Sequence, residues 1–477
     1  MRRWEEAVPH PTPVTARRDA MTAYKVVNPA TGQTESEFPE ATDAEIQDAL
    51  DRSAAAYRTW RASEVKERVA VLERVAELYA ARKDELASLI TREMGKPVTQ
   101  ARREIDTTIS IYRYYAENGP GFLADEELDV VAGGSAVVRK EGMGPLLGIM
   151  PWNFPYYQVA RFAAPNLMLG NTILLKHAPQ CPESALAMER IFQEAALPEG
   201  AYINLFASNE QVSTIIADPR VQGISLTGSE RAGAAVAEQA GRHLKKVVLE
   251  LGGSDPFLVL QPADLDRTVK NAFYGRYGNA GQACNAAKRI IVLADQYEEF
   301  TRKFTETVKG VTPGDPTEEG TFMGPLSSRQ AVENLAAQIE DAVANGATLL
   351  AGGKPLDREG AWFEPTVLTD VGPGMRAFQE ELFGPAAVIY KVETEEEAVA
   401  LANNTPYGLG AAIATDDPER ALRVAAQLDT GMVYINETSG TAAELPFGGV
   451  KRSGIGRELG KYGMEEFANK KLVRIRR

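Results

Sequence analysis

The chain has 477 residues, 44% hydrophobic, 8% aromatic and 25% charged, enough to bury a large core and to build two or three domains. A formal charge of −14 gives no electrostatic footprint for nucleic acid, and no apolar run approaches the ~20 residues of a membrane span. The two cysteines, Cys181 and Cys284, lie too far apart in sequence to form a disulfide framework, which argues for a reducing cytoplasm.

Residues 1–20 carry arginines and prolines but no apolar core, and Glu5, Glu6 and Asp19 argue against a signal or transit peptide. The natural start is expected at Met21, or else residues 1–21 form a flexible extension. From 41 to 119 the spacing predicts long amphipathic helices, for instance Val65 to Leu86 capped by Ser63. Ala136 to Met150 switches to strand character with a glycine-rich interruption. In Pro151-Trp152-Asn153-Phe154-Pro155 two prolines fix the backbone on either side of Asn153. A rigidly held amide suits an oxyanion donor, although an Asx turn is the common role beside proline.

Strand 172–176, helix 181–195, strand 223–226 and helix 230–240 then read as βα units, the pattern of an α/β protein with a largely parallel sheet. The apolar run Lys245 to Leu251 delivers Glu250 into Gly252-Gly253. Between Leu249 and Leu251 its carboxyl should be partly desolvated, which raises it toward general-base range; a strand-end glutamate facing water is the ordinary alternative. Cys284 sits in Tyr277 to Arg289, where small residues leave a thiol approachable. A thiolate nucleophile needs such an opening. Free cysteines are more often small buried hydrophobes, so the partners decide; Cys181 reads as structural.

Together these segments resemble the aldehyde dehydrogenase superfamily along most of the chain. The resemblance rests on Pro151–Pro155, Leu175-Lys176, Leu226-Thr227-Gly228-Ser229 with Gly233, Glu250–Gly253, Gly281-Gln282-Ala283-Cys284, Glu381-Leu382-Phe383-Gly384-Pro385 and Pro446 to Glu458, in the family's order. It implies that Cys284 is the nucleophile, Glu250 the general base and Asn153 the oxyanion donor. The thiolate would add to an aldehyde carbonyl, the oxyanion would be held by the Asn153 side chain and the Cys284 N–H, and the acyl thioester left on Cys284 would be hydrolysed by water activated by Glu250. Relatives that pass the acyl group to coenzyme A or reduce an acyl phosphate typically lack this glutamate, so the resemblance implies a hydrolytic enzyme.

No Gly-x-Gly-x-x-Gly fingerprint follows a strand; the nearest glycine element is Thr227 to Gly233, a turn that can still present backbone N–H groups to a pyrophosphate. By resemblance Gly228, Ser229 and Gly233 belong there, with Trp152 and Leu251 beside the cofactor, Lys176 reaching the adenosine ribose, and Glu381 and Phe383 holding the nicotinamide ribose and ring. Many NAD-preferring relatives have a glutamate where this chain has Pro179. Its loss removes a partner for the 2′-hydroxyl and a repulsion for a 2′-phosphate, while Lys176 and His177 stay near. NADP is therefore slightly favoured over NAD, and no metal is expected. Arg161, eight positions after Asn153, matches the arginine that grips the distal carboxylate in succinate-semialdehyde dehydrogenases, and the wording around Lys176 and Tyr277 resembles a bacterial subgroup of these. A structural ion pair is the competing role for Arg161. The second arginine of those relatives is replaced by Gly278, and neither Arg276 nor Lys288 can be aimed at the site from sequence.

The resulting expectation is an α/β, aldehyde dehydrogenase-like fold. It comprises a Rossmann-type NAD(P)-binding domain (22–124 and 144–253), an α/β catalytic domain (254–445) and bridging, oligomerisation segments (125–143 and 446–477) that imply a homodimer or homotetramer. The competing functions are a dehydrogenase for uncharged aldehydes and a non-catalytic binding protein on the same fold.

Overall fold

In the computed structural model, which describes residues 24–476, the alternating pattern becomes two sheets of mostly parallel strands. Expectations for residues 1–21 lie outside the described residues. The first sheet has six strands, in spatial order Gly454–Ile455, Lys246–Glu250, Gly223–Thr227, Pro145–Met150, Thr172–His177 and Tyr202–Asn204. All are parallel except Gly454–Ile455, which runs antiparallel with Gly454 opposite Glu250. The chain lays down Pro145–Met150, moves outward through Thr172–His177 and Tyr202–Asn204, then returns to place Gly223–Thr227 and Lys246–Glu250 on the other side. The order therefore reverses between Pro145–Met150 and Gly223–Thr227, and the crevice beyond the carboxyl ends of such strands is where doubly wound sheets take ligands.

The second sheet has seven strands in the order Thr348–Ala351, Thr366–Thr369, Ala386–Val392, Arg289–Leu293, Pro256–Val259, Gly410–Ala414 and Met432–Ile435, antiparallel only at the first pair. Arg289–Leu293 and Pro256–Val259 are buried along their whole length, as expected of central parallel strands covered on both faces. A third sheet is antiparallel and joins Glu126–Leu128, Ser135–Gly142 and Ala468–Ile475.

Helix Pro155–Leu169 starts with proline in its first turn, ends on Gly170 in the left-handed region (φ 96°), and is buried at all 15 residues. A helix apolar on nearly every side belongs inside, and helices Val65–Ala81 and Val98–Phe122 cover it. Because it is buried throughout, any charge on it needs an internal partner.

Three local expectations are corrected. The helix expected over 65–86 is two helices, Val65–Ala81 and Lys83–Met94, broken at Arg82 (φ −111°, ψ 18°). Ser63 does not cap it: the Ser63 hydroxyl donates to the Trp60 carbonyl (2.7 Å) and accepts from Arg68 Nε (3.0 Å), so its hydrogen-bonding capacity is spent on other partners. The glycine-rich interruption expected within 136–150 is present at Gly142–Gly144, Gly144 having φ 149°, and divides the run between two sheets. Of the segment 446–477, Ala468–Ile475 joins the antiparallel sheet, whereas Gly454–Ile455 extends the first parallel sheet.

Candidate active site

Cys284 is half-buried and opens on a cavity of about 560 Å³ whose walls include Phe154, Tyr157, Arg161, Gly278 and Phe447. Its loop is reached through a strained approach. Asn279, Ala280 and Gly281 all have left-handed backbones (φ 53°, 52° and 72°), a conformation costly for non-glycine residues that persists only where surroundings enforce it. Here the Asn279 side chain donates to the carbonyls of Asn153 (3.0 Å) and Gln282 (3.2 Å), and its N–H to Gln100 Oε1 (2.8 Å). Gly253 lets the loop come close, since a Cβ there would sit 2.5 Å from the Cys284 carbonyl oxygen.

Asn153 lies against this loop. Its Nδ2 donates to the Gln282 carbonyl (3.1 Å) and its Oδ1 accepts from Gln158 Nε2 (3.0 Å), which fixes which end of the amide carries the N–H groups. Below it, the buried Lys96 donates to the Asn153 carbonyl (2.9 Å) and pairs with Glu104, whose other oxygen accepts the Tyr156 N–H (2.9 Å). That carboxylate sits at the amino end of helix Pro155–Leu169, where negative charge is favoured. Lys96, Glu104, Gln158, Asn279 and Gln282 were not singled out in the sequence, where only the proline bracketing of Asn153 was visible.

Glu250 ends strand Lys246–Glu250 as expected, and it is buried with neither carboxyl oxygen hydrogen-bonded among the described residues. Burial pushes its carboxyl well above the usual range, against the pull of Arg161. Its side chain packs on Gly448, where a Cβ would approach Oε1 to 2.7 Å, and it is not among the residues lining the Cys284 cavity. Burial also pushes the Cys284 thiol up to about 12; Arg161 and Lys288 oppose this, while Glu381 and Glu250 add to it.

Arg161 has an internal partner. Its Nε pairs with Glu458, Nη1 donates to the Tyr157 hydroxyl (3.0 Å) and Nη2 to Thr227 Oγ1 (3.3 Å), with the guanidinium over the Tyr157 and Phe447 rings. The side chain has no exposed surface, so a two-toothed grip on a ligand requires Glu458 or Tyr157 to give way. Arg276 is likewise committed, donating to the carbonyls of Ala386 (2.7 Å), Gly281 (3.2 Å), Leu382 (2.9 Å) and Gly384, and so bolts the cysteine loop to residues 382–386. Among the cations lining the cavity, Lys96 and Arg161 are paired with glutamates, and Arg103, exposed at its edge, has no ion pair among the described residues.

The expected cofactor residues surround the strand-order reversal. Trp152 follows strand Pro145–Met150 and meets Phe383 edge-on (centroids 5.7 Å apart). Lys176 is the penultimate residue of the neighbouring strand, half-buried over the Tyr24 ring (5.7 Å), and burial draws it down to about 8. Pro179 accepts the Lys25 N–H (3.0 Å), which ties strand Tyr24–Val27 beside it. His177 adds no charge: it is buried, with Nδ1 accepting from the Ala178 N–H (2.8 Å) and Nε2 on the Pro155 carbonyl (3.0 Å), and burial draws it down to about 4. Ser229 caps helix Glu230–Arg242 by accepting the Ala232 N–H (3.3 Å). Above Gly228 there is room, a Cβ meeting only Leu226 at 3.6 Å, whereas at Gly233 it would meet Leu251 at 2.6 Å. Gly233 therefore serves close packing of helix on strand, the role of the last glycine in dinucleotide fingerprints. Glu381 accepts from the Gly253 N–H (3.2 Å) and pairs with the buried Lys288 (3.0 Å). A lysine without an ion pair among the described residues, a glycine-containing turn at a helix start and an aromatic pair beside a carboxylate fit a dinucleotide.

The model of the Aldehyde dehydrogenase family matches residues 15–473. The chain is 56% identical over 451 residues, 94% of each chain, to the succinate-semialdehyde dehydrogenase [NADP(+)] of Deinococcus radiodurans. It superposes with a TM-score of 0.93 at 42% identity on the crystal structure of succinic semialdehyde dehydrogenase from Streptococcus pyogenes in complex with NADP+, covering 95% of this chain and 100% of that one. It also superposes with a TM-score of 0.91 at 35% identity on aldehyde dehydrogenase 21 from Physcomitrella patens in complex with the reaction product succinate, covering 97% and 96%.

Proposed function

The chain belongs to the aldehyde dehydrogenase family, and from that premise we propose that it oxidises succinate semialdehyde to succinate with NADP, through a thioester on Cys284. The observation that carries the reading is Cys284 half-exposed on a cavity whose rear wall is the loop anchored to Asn153. The printed activities of the relatives supply the substrate and the favoured cofactor.

In the proposed reaction the Cys284 sulfur adds to the aldehyde carbon, and the developing oxyanion is met by the Cys284 N–H and by the second N–H of the Asn153 amide, which lies behind the cysteine loop rather than in the cavity lining and must reach past it. One such donor is worth about 3–4 kcal/mol of barrier. When bound, the oxidised cofactor supplies a hydride acceptor and a positive charge beside the thiol; Lys176, Gly228, Ser229, Gly233, Trp152, Leu251, Glu381 and Phe383 would hold it. Lys288 and Arg161 pull the buried thiol toward its ionised form. Glu250, with both oxygens unbonded, then takes a proton from water as the thioester is hydrolysed. Because Glu250 packs on Gly448, outside the cavity lining, this step calls for its side chain to swing toward Cys284.

We infer that Arg161 supplies the charge that favours a carboxylated substrate, with contact made through the Tyr157 hydroxyl that it bonds. A second reading is favoured by one observation: Arg103 is the cavity cation without a carboxylate partner among the described residues. The test compares kcat/KM for succinate semialdehyde and butanal, with NADP and with NAD, in wild type, Arg161→Ala and Arg103→Ala. The acid semialdehyde should be preferred in wild type and lose that preference in Arg161→Ala. Preference that survives there but is lost in Arg103→Ala moves the anchor to the cavity edge, and no preference in wild type refutes the substrate.

We further propose that the antiparallel sheet, residues 125–143 with 468–475, joins subunits into a homodimer or homotetramer in the cytoplasm. Leu128, Leu472 and Ile475 are exposed on it (39%, 61% and 59%), the apolar surface an oligomer would cover. Light scattering that gives a monomer at micromolar concentration would refute this.

A further inference from the structure

Lys288 is a fully buried cation whose part in the reaction above is only to favour the ionised thiol. Only 1% of its side chain is exposed, a costly burial unless every proton is matched, and it is. The ammonium donates to the carbonyl oxygens of Ala283 (2.9 Å) and Cys284 (2.7 Å) and pairs with Glu381 Oε1 at 3.0 Å. It has three donors and three partners. Two of those partners belong to the nucleophile's own peptide units, and the third is the carboxylate assigned above to the nicotinamide ribose.

The direction of these bonds matters. In a planar trans peptide the C=O and the following N–H point opposite ways. Drawing the Ala283 carbonyl onto Lys288 therefore turns the Cys284 N–H away from the ammonium. The cavity lies on that side: Ala283, Cys284, Asn285 and Ala286 line it and Lys288 does not. The Cys284 N–H makes no hydrogen bond among the described residues, nor do those of its neighbours Ala283 and Asn285, whereas the N–H groups of Gln282, Ala286, Ala287 and Lys288 do. An N–H left open to the cavity beside a nucleophile is a donor held ready.

We propose that Lys288 is a positioning residue of the oxyanion site: by holding the carbonyls of Ala283 and Cys284 it aims the Cys284 N–H into the cavity, and through Glu381 it ties that alignment to the seat of the nicotinamide ribose. The proposal rests on Cys284 as the nucleophile but not on the identity of the aldehyde.

The test is Lys288→Met, which keeps length and burial and removes all three donors. Rapid mixing with saturating NADP and either succinate semialdehyde or butanal reads the burst of reduced cofactor. Iodoacetamide alkylation of Cys284 against pH reads the thiol, which faces Arg161, Lys288, Glu381 and Glu250. The burst amplitude should be kept and its rate should fall about a hundredfold, the loss typical of one oxyanion donor. The fall should be equal for both aldehydes, and the alkylation midpoint should move to higher pH. A merely structural lysine gives the opposite pattern, a smaller amplitude with unchanged rate per active site and an unchanged midpoint, and that result overturns the proposal. A loss confined to one aldehyde also overturns it. If Lys288→Met does not fold, Lys288→Arg carries the test: it keeps the charge but cannot set one nitrogen on both carbonyls. It should keep the wild-type midpoint and lose at least about tenfold in burst rate, and an unaltered burst is refutation. Absence of any burst in wild type would instead refute the assignment of Cys284.

Discussion

Gly253→Ala is a sharp test of how the site is assembled, because the methyl it adds meets backbone. The new Cβ would stand 2.5 Å from the Cys284 carbonyl oxygen, 2.9 Å from Asp255 Oδ1 and 3.2 Å from Leu409 Cβ. Gly253 does not have a left-handed φ, so alanine is not strained by its own conformation and the whole effect is contact. Restoring an ordinary carbon–oxygen separation of about 3.4 Å requires the cysteine loop to retreat by roughly 0.9 Å. The loop resists, since Lys288 holds the Cys284 carbonyl at 2.7 Å and a retreat would disturb that bond. Overpacking of this kind costs about 1–3 kcal/mol of stability, while a misplacement near 1 Å at a reacting group costs about 10²-fold in rate. The variant should therefore fold, melt a few degrees lower, and show a burst of reduced cofactor slowed about a hundredfold at saturating aldehyde, with KM for the aldehyde changed far less. Stopped-flow absorbance at the reduced-cofactor band, with calorimetry on the same preparation, measures both. A variant that melts lower but keeps the wild-type burst rate would refute the reasoning, because it would mean that the sulfur's position is not set by its carbonyl.

Glu250→Gln keeps size and burial but cannot take a proton from water: the burst of reduced cofactor should survive while steady turnover falls about 10²- to 10⁴-fold, and loss of the burst would place Glu250 before hydride transfer. Asp255 is buried with neither oxygen hydrogen-bonded through its side chain to another side chain, and burial raises its carboxyl from an ordinary 3.8 to about 7. A raised folded value means that the stability present below about pH 4 is lost as pH rises to about 7 and then levels off. Asp255→Asn should thus gain in melting temperature relative to wild type across that window; a difference independent of pH would contradict it.

What could be read from the sequence was whatever its chemistry fixes locally. The prolines around Asn153, the leucines flanking Glu250 and the small residues around Cys284 are each visible in a few neighbouring letters, and the alternation of apolar runs sufficed for parallel sheets. Ser63 misled because a cap-type residue also bonds backward into the preceding turn, and Arg82 breaks a helix at a position with good intrinsic propensity because packing overrides propensity. Arg161 shows the deeper obstacle. Its helix and spacing were legible, but its partner Glu458 lies 297 positions on, brought near when Gly454–Ile455 pairs with the strand that ends at Glu250. The same strand pairing sets Gly454 opposite Glu250, so the proposed base and the counter-ion of Arg161 are brought together where the edge strand joins the sheet. Lys288 was visible in the sequence but could not be aimed, for a related reason: four residues after Cys284 its side chain folds back onto the loop's carbonyls, and only Glu381, from another segment, shows why a lysine is tolerated there. The identities of the groups that do chemistry are thus local facts, whereas the charges that tune them come from distant segments. Substitutions at Glu458, Glu381 and Lys288 are for that reason where specificity and rate should be separable from the presence of the nucleophile itself.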